Sequence, residues 1–179
     1  MTTTALYVEL IVIGVQVEAW IIILVNAFFR NNFSVLMLAS DNAFIVLLAL
    51  IPAYVLGMLF DRIADQIFYQ KEQRIKKKSG LHSSSSLLIE ETPKMHEFQL
   101  YTRSKYRVLR ATTLNTPLLA FSIIANLLLN KMISYGGAIL ILALGIVVTF
   151  MFYWCSVKTV ENFYNKAQLI EDHHEKSKQ

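Results

Sequence analysis

The fold of this chain is decided by residues 135–156, which read YGGAILILALGIVVTFMFYWCS and include no charged side chain. A helix rises about 1.5 Å per residue, so a stretch of this length crosses the hydrocarbon core of a bilayer, which is about 30 Å thick. Three more apolar segments of spanning length lie at 6–29, 43–60 and 112–130. We therefore predict an all-α, polytopic membrane protein with four transmembrane helices.

The composition excludes several other classes of protein. Hydrophobic residues make up 55% of the 179 residues and charged residues only 17%, whereas about 25% of the residues in a soluble domain are charged. The single cysteine excludes a disulfide scaffold and a thiolate metal cluster. An ordinary soluble enzyme is therefore not expected.

The start of the second span allows two interpretations. Residues 35–39 are apolar but too few to cross a bilayer alone, and Ser40, Asp41 and Asn42 after them are typical helix N-cap residues. We therefore begin the second span at residue 43 and expect 33–39 to lie at the membrane interface. The alternative is that these residues belong to the second span itself.

The distribution of positive charge predicts the orientation. Eleven lysines and arginines lie between residues 61 and 111, and four more lie in the tail at 157–179, but the two remaining connections hold only Arg30 and Lys131. Loops rich in lysine and arginine stay in the cytosol. We expect both termini and the central segment to be cytosolic, and the location to be a bacterial inner membrane.

The central segment continues the helical pattern of the spans on either side of it. Apolar residues recur at steps of three and four after residue 60 and again before residue 112. We predict that 61–111 forms a basic cytosolic hairpin of two helices, joined by a flexible linker at 79–94 that is rich in serine. The tail at 157–179 is expected to prolong the fourth span and to pack on the hairpin.

Charged residues of the hairpin form two opposing groups next to the membrane. Their spacing of three and four residues places each group on one face of its helix, and pairing between the groups would lock the hairpin. Two carboxylates could also bind a divalent cation, but the adjacent arginines argue against it, and no metal site is predicted. The predicted charge groups are Asp61, Arg62 and Asp65 on one helix, and Arg103, Arg107 and Arg110 on the other.

The hairpin also carries the triplet Lys76, Lys77 and Lys78. Lysines near a membrane surface attract anionic lipid headgroups, which are the expected partner of the triplet. An acidic cytosolic protein or a nucleotide is the alternative partner of the basic hairpin. No DNA- or RNA-reading motif is present, so sequence-specific binding of nucleic acid is not predicted.

Several polar residues interrupt the apolar spans. A carboxylate facing lipid near the middle of a span would cost several kcal/mol, so Glu18 should face protein or water. Counting residues from the cytosolic ends places Glu18 at the depth of Ser122 in the third span. We predict a polar seam, or a hydrated pathway, between the first and third helices. Its predicted members are Gln16, Glu18, Asn26, Asn115, Ser122 and Asn126.

No known catalytic motif, phosphate-binding loop or cofactor-binding glycine pattern occurs in the sequence. We predict neither a cofactor nor an enzyme, although an intramembrane enzyme based on Glu18, or on Asp61 and Asp65, is a minor alternative. The first functional hypothesis is a homo-oligomeric channel, pore or membrane effector that responds to a cytosolic signal. The second is a non-conducting anchor or accessory subunit that recruits a soluble partner through the hairpin. The ionisable residue inside the membrane favours the first.

Overall fold

The computed structural model describes residues 3–29, 43–78 and 93–176, and every regular element in them is an α-helix. All four helices are long and apolar enough to cross a membrane. The prediction of an all-α chain with four helices of membrane-spanning length is therefore confirmed. The helices are α1 (Thr3–Phe29), α2 (Ala43–Lys78), α3 (Pro93–Leu129) and α4 (Tyr135–Lys176).

Three of the helices are longer than a bilayer requires. Beyond its apolar segment α2 continues to Lys78, α3 begins at Pro93, and α4 continues to Lys176. The predicted linker is therefore wrong at its second boundary, because Pro93 and Lys94 are helical. Proline is favoured in the first turn of a helix, where its missing N–H is not needed. The rest of the linker and the predicted interfacial segment at 33–39 lie outside the described residues.

A tight turn at residues 130–134 joins α3 to α4. Lys131 has a left-handed backbone conformation with a φ of 55°. Its N–H and that of Met132 bond to carbonyl groups in the last turn of α3, at 3.0 and 2.9 Å. This pair of bonds is the Schellman motif that ends many helices. The side chain of Ser134 then caps the start of α4, so α3 and α4 become antiparallel neighbours.

Within the spans, α1 packs against both α2 and α3, and α3 also packs against α4. Glycines allow the closest approaches. A Cβ on Gly14 would lie 1.6 Å from the carbonyl oxygen of Ala53 in α2, and one on Gly57 would lie 1.9 Å from a carbonyl oxygen of α1. A Cβ on Gly145 would lie 2.7 Å from the Cβ of Ala120. Helices in membranes commonly use small residues in this way, because lipid supplies no hydrophobic force to press them together.

Beyond the spans, α2, α3 and α4 continue side by side and form a three-helix extension at 61–78, 93–111 and 157–176. Ala167 of α4 is buried and packs against Phe98 and Phe163. On the other side of α4, the rings of Phe68 and Tyr153 lie 6.2 Å apart. The extension therefore includes α4 as a third long helix beside the two that form the predicted hairpin.

Much of the apolar surface of the spans is not covered by the chain itself. Only 11% of the α4 span and 17% of the α2 span are buried. The uncovered side chains of α4 include Ile139, Leu144, Ile146 and Phe150. An apolar surface of this extent has to be covered by lipid or by another protein surface. The four helices are thus compatible with an integral membrane protein and indicate a multi-pass arrangement.

Candidate functional site

Five charged side chains from three helices meet where the apolar spans end, and we call them the charge cluster. The guanidinium group of Arg110 donates to Asp61 at 2.9 Å and to Asp65 at 2.5 Å. Arg107 donates to Glu9 at 3.1 Å, and its Nε lies 3.4 Å from Asp61. The side chains of Glu9 and Arg110 are each only 9% exposed. The cluster therefore ties α1, α2 and α3 together.

The environment of Arg110 makes it the centre of the cluster. Its forked guanidinium reaches two carboxylates on successive turns of α2, and its Cζ lies 5.5 Å from the centre of the Tyr106 ring. Hydrogen bonds between two charged groups are stronger than neutral ones, and arginine offers them in a fixed geometry. Asp61 is only 18% exposed. If Arg110 were removed, Asp61 would remain largely buried and would keep only the ion pair with Arg107.

Four of the six residues in the predicted charge groups belong to this cluster. Arg62 and Arg103 do not, and both are exposed. Arg103 instead interacts electrostatically with Glu72 of α2. The three-helix extension thus has a second, weaker link between α2 and α3 farther from the spans, and Glu72 also acts electrostatically on Tyr164 of α4, whose pKa is raised by burial and by this carboxylate.

Glu9 is the member of the cluster that is not among the predicted residues. Besides pairing with Arg107, its carboxylate accepts a hydrogen bond from the hydroxyl of Ser104. Its position in the sequence does carry a signal, because Glu9, Gln16 and Trp20 are spaced by seven and four residues and so share one face of α1. All three of these side chains contact α3.

A network of uncharged polar side chains continues from the cluster into the span along that face. Gln16 bonds to Thr112 at 3.1 Å and accepts a bond from the Asn115 amide at 3.3 Å. The indole N–H of Trp20 donates to the same asparagine at 3.3 Å. Farther along, Asn126 donates to the carbonyl oxygen of Ile23 at 3.1 Å. These contacts place a polar seam between α1 and α3.

The other members of the predicted seam are placed differently. Ser122 is buried, but its hydroxyl donates to the Leu118 carbonyl within its own helix. Within the part of the chain that the structure describes, Glu18 and Asn26 make no side-chain hydrogen bond or ion pair, although both are partly buried. The predicted seam thus comes together around Gln16, Asn115 and Asn126 only.

The predicted depth of Glu18 is wrong. Gln16 and Trp20, on either side of it along α1, bond to Thr112 and Asn115, so Glu18 lies near Asn115 rather than level with Ser122. The prediction assumed that α1 and α3 begin at the same height. The pairing of Glu9 with residues 104 and 107 shows instead that α3 meets the beginning of the first span five to eight residues before the predicted third span starts at residue 112.

An open cavity of about 410 Å³ lies beside the seam, between α1, α3 and α4. Gln16, Thr112 and Asn115 line it from one side, and Val148 and Phe152 of α4 line it from the other. Its polar side chains already bond across α1 and α3 or, in the case of Thr116, to the Thr112 carbonyl within α3. The cavity is therefore an apolar cleft with a satisfied polar edge.

A groove of about 420 Å³ separates α2 from α4 in the three-helix extension, and we call it the basic groove. Lys71, Arg74 and Lys78 of α2 line it, together with Tyr164 and Gln168 of α4. None of the three cations forms an ion pair with a carboxylate that the structure describes, and all three are exposed. The groove is thus an open, positively charged surface with polar side chains on its opposite wall.

No group of three histidine, cysteine, aspartate or glutamate side chains capable of holding a metal occurs in residues 3–29, 43–78 and 93–176. In the charge cluster, Arg110 already bonds to both Asp61 and Asp65. A cation there would have to displace the arginine. The exposed Lys76, Lys77 and Lys78 lie at the far end of α2, about 22 Å or more along the helix from Asp61. The predicted contact with lipid headgroups is untested, and this distance argues against it for the bilayer that holds the chain.

Comparison with known proteins returns no match to any protein family, to any curated protein or to any solved structure. The role of the chain therefore has to be argued from its own geometry. That geometry consists of four membrane-length helices, a charge cluster at one end of the spans, and a basic groove beyond it.

Proposed function

We propose that this chain is a non-conducting membrane anchor or accessory protein, not an enzyme, and that its cytosolic three-helix extension binds a soluble anionic partner. One observation carries the proposal. The cations of the charge cluster are paired with carboxylates inside the chain, whereas Lys71, Arg74 and Lys78 in the basic groove are not paired with any described carboxylate. Unpaired, exposed cations along one groove attract anions and speed their encounter.

The hydrogen bonds inside the membrane region support the anchor interpretation. Gln16, Asn115 and Trp20 satisfy one another across α1 and α3. Polar side chains in membranes commonly act in this way, as contacts that hold helices together. A water-filled path inside a single chain is not needed to explain them. The cytosolic location of the extension rests on the excess of lysine and arginine at this end of the molecule.

The test uses charge reversal of the groove. The double variant Lys71→Glu and Arg74→Glu should still insert into the membrane but should lose capture of soluble partners from the cytosolic fraction by the purified full chain. Reversal of Lys131, in the α3–α4 turn, is the matched control, because that lysine is exposed and far from the groove. Arg107 and Arg110 are unsuitable targets since their loss would break the charge cluster. Equal capture by the double variant and the wild type would refute the proposal.

A second function, a homo-oligomeric channel or membrane effector, is favoured by Glu18. This carboxylate lies within the α1 span and makes no hydrogen bond or ion pair to any side chain that the structure describes. Groups of this kind are costly in lipid and commonly mark ion pathways. The uncovered face of α4 leaves room for contacts between subunits.

The second function makes two measurable demands. The detergent-solubilised particle must have the mass of an oligomer, and Glu18→Gln must change ion flux in reconstituted vesicles while expression stays normal. Glu161→Gln, outside the spans, is the control for removing a carboxylate elsewhere. A monomeric particle together with vesicles that stay tight to ions would exclude the channel and leave the anchor.

A further inference from the structure

The basic groove has the dimensions of a small-molecule site. Its volume of about 420 Å³ falls within the range of about 300–1,000 Å³ that is usual for ligand pockets. Lys71, Arg74 and Lys78 follow one another at steps of three and four residues, so they lie on one face of α2. They spread over about 10 Å of the helix axis, which is longer than a single phosphate and suits an elongated anion.

The charge of the groove is not cancelled by its own lining. Glu161 is the acidic residue among the lining side chains, and it already bonds to Lys158 at 2.8 Å. Lys71 has its ammonium group 5.8 Å from the centre of the Tyr153 ring, a contact that leaves its charge in place. On the opposite wall, Asn165 and Gln168 offer uncharged hydrogen-bond donors. These groups together favour an anion with several acceptor oxygens.

The height of the groove above the membrane argues for a soluble ligand. Arg74 lies thirteen residues beyond Asp61 along the continuous helix α2, which is about 20 Å. Asp61 belongs to the charge cluster at the end of the spans. The headgroup layer of one leaflet is only about 5–8 Å thick, and an ordinary tilt of about 20° shortens the height of a helix very little. Headgroups of the bilayer that holds the chain therefore do not reach Arg74.

We propose that the basic groove between α2 and α4 binds a small soluble molecule of nucleotide size that carries two or more phosphate groups. Lys71, Arg74 and Lys78 contact the phosphates, and Tyr164 with Gln168 borders the rest of the ligand. This assignment rests on the proposed function, since it names the chemical class of the partner that the extension binds. The arginine supplies the planar, forked contact that suits phosphate oxygens, and the lysines supply point charges.

The experiment titrates ATP and, separately, inorganic pyrophosphate into the full chain reconstituted in nanodiscs of neutral phosphatidylcholine, with isothermal calorimetry as the readout. Lys71→Gln and Arg74→Gln should each raise the Kd for both probes about tenfold or more, because each removes a charged hydrogen-bond donor. Lys105→Gln, which removes an exposed lysine from α3 outside the basic groove, should leave the Kd unchanged. The proposal is overturned if the wild type shows no saturable binding, or if the two groove variants bind as the wild type does.

A second set of nanodiscs, containing phosphatidylglycerol, separates the two sources of phosphate. The affinity for pyrophosphate should be the same in both sets, because the groove stands clear of the headgroups. A loss of affinity in the anionic discs would show that headgroups occupy the groove and would overturn the assignment to a soluble ligand. If neither probe binds but charge reversal still abolishes partner capture, the ligand class is wrong and the proposed function stands.

Discussion

Replacing Arg110 with methionine tests whether the charge cluster holds α2 and α3 together. The substitution removes the hydrogen bonds to Asp61 and Asp65 and keeps most of the volume of the side chain. Breaking a buried ion pair from one side costs about 3–5 kcal/mol, whereas exposed pairs contribute at most about 1 kcal/mol. Asp61 is 18% exposed and Asp65 is 50% exposed, so we expect an intermediate loss of about 2–3 kcal/mol in the free energy of unfolding.

The assay is thermal unfolding of the full chain in detergent, followed by fluorescence-detected size exclusion. For a chain of this size the loss corresponds to a drop in Tm of roughly 5–10 °C. Arg62→Met is the matched control, because Arg62 is exposed and lies outside the cluster; its Tm should match that of the wild type. The Tm of the double variant Arg110→Met and Asp61→Asn should fall by less than the sum of the decreases in the two single variants, because no buried carboxylate is left unpaired. If Arg110→Met unfolds at the same Tm as the wild type, the charge cluster does not hold α2 and α3 together.

Three further substitutions test the packing. Gly14→Ala should lower the Tm, because its Cβ must move from 1.6 Å to at least 3.0 Å from the Ala53 carbonyl oxygen. Gly136→Ala should be harmless, because a Cβ there would meet only the Ser134 hydroxyl, at an ordinary contact distance of 3.9 Å. Equal effects of the two substitutions would contradict the close crossing of α1 and α2. Gln16→Leu should cost about 0.5–1 kcal/mol, the usual value of hydrogen bonds inside membranes, and no change in Tm would refute the seam. Lys131→Gly should raise the free energy of unfolding by about 0.5–1 kcal/mol, and the Tm with it, because it relieves the left-handed backbone; a lower Tm would count against that conformation.

The number and position of the helices were predictable because the apolar blocks are long and well separated. The period of three and four residues beyond each block also predicted that α2 and α3 continue past the spans. The second end of the linker was misplaced at Pro93, because proline breaks a helix interior but is favoured at a helix start. The same residue type thus predicts opposite boundaries, depending on which side of it the helix lies.

The charge cluster was only partly predictable, and for a different reason. Spacing along one helix identifies which residues share a face, and this is how Asp61 with Asp65, and Arg107 with Arg110, were found. Spacing does not say which helix the face will meet. Glu9 was therefore missed, since its partners lie some 95 positions away in α3, and so was the approach of α1 to α2 at Gly14.

The polar residues of the chain divide into two groups, and the division bears on function. The first group is paired within the chain: the cluster around Arg110 and the seam around Gln16 and Asn115 bond across helices and hold the fold, and in the cluster only the buried Nε of Arg110 has no hydrogen-bond partner among the described residues. The second group is the groove cations such as Arg74, together with Glu18, none of which has an ion-pair partner among the described side chains. The groove cations and Glu18 form no ion pair with a described side chain, and the functions proposed above assign them contacts with other molecules. The exposed groove cations are the site at which we propose that a soluble anion binds, whereas Glu18 lies in the apolar segment of α1, where a partner would have to be water, an ion or a second copy of the chain.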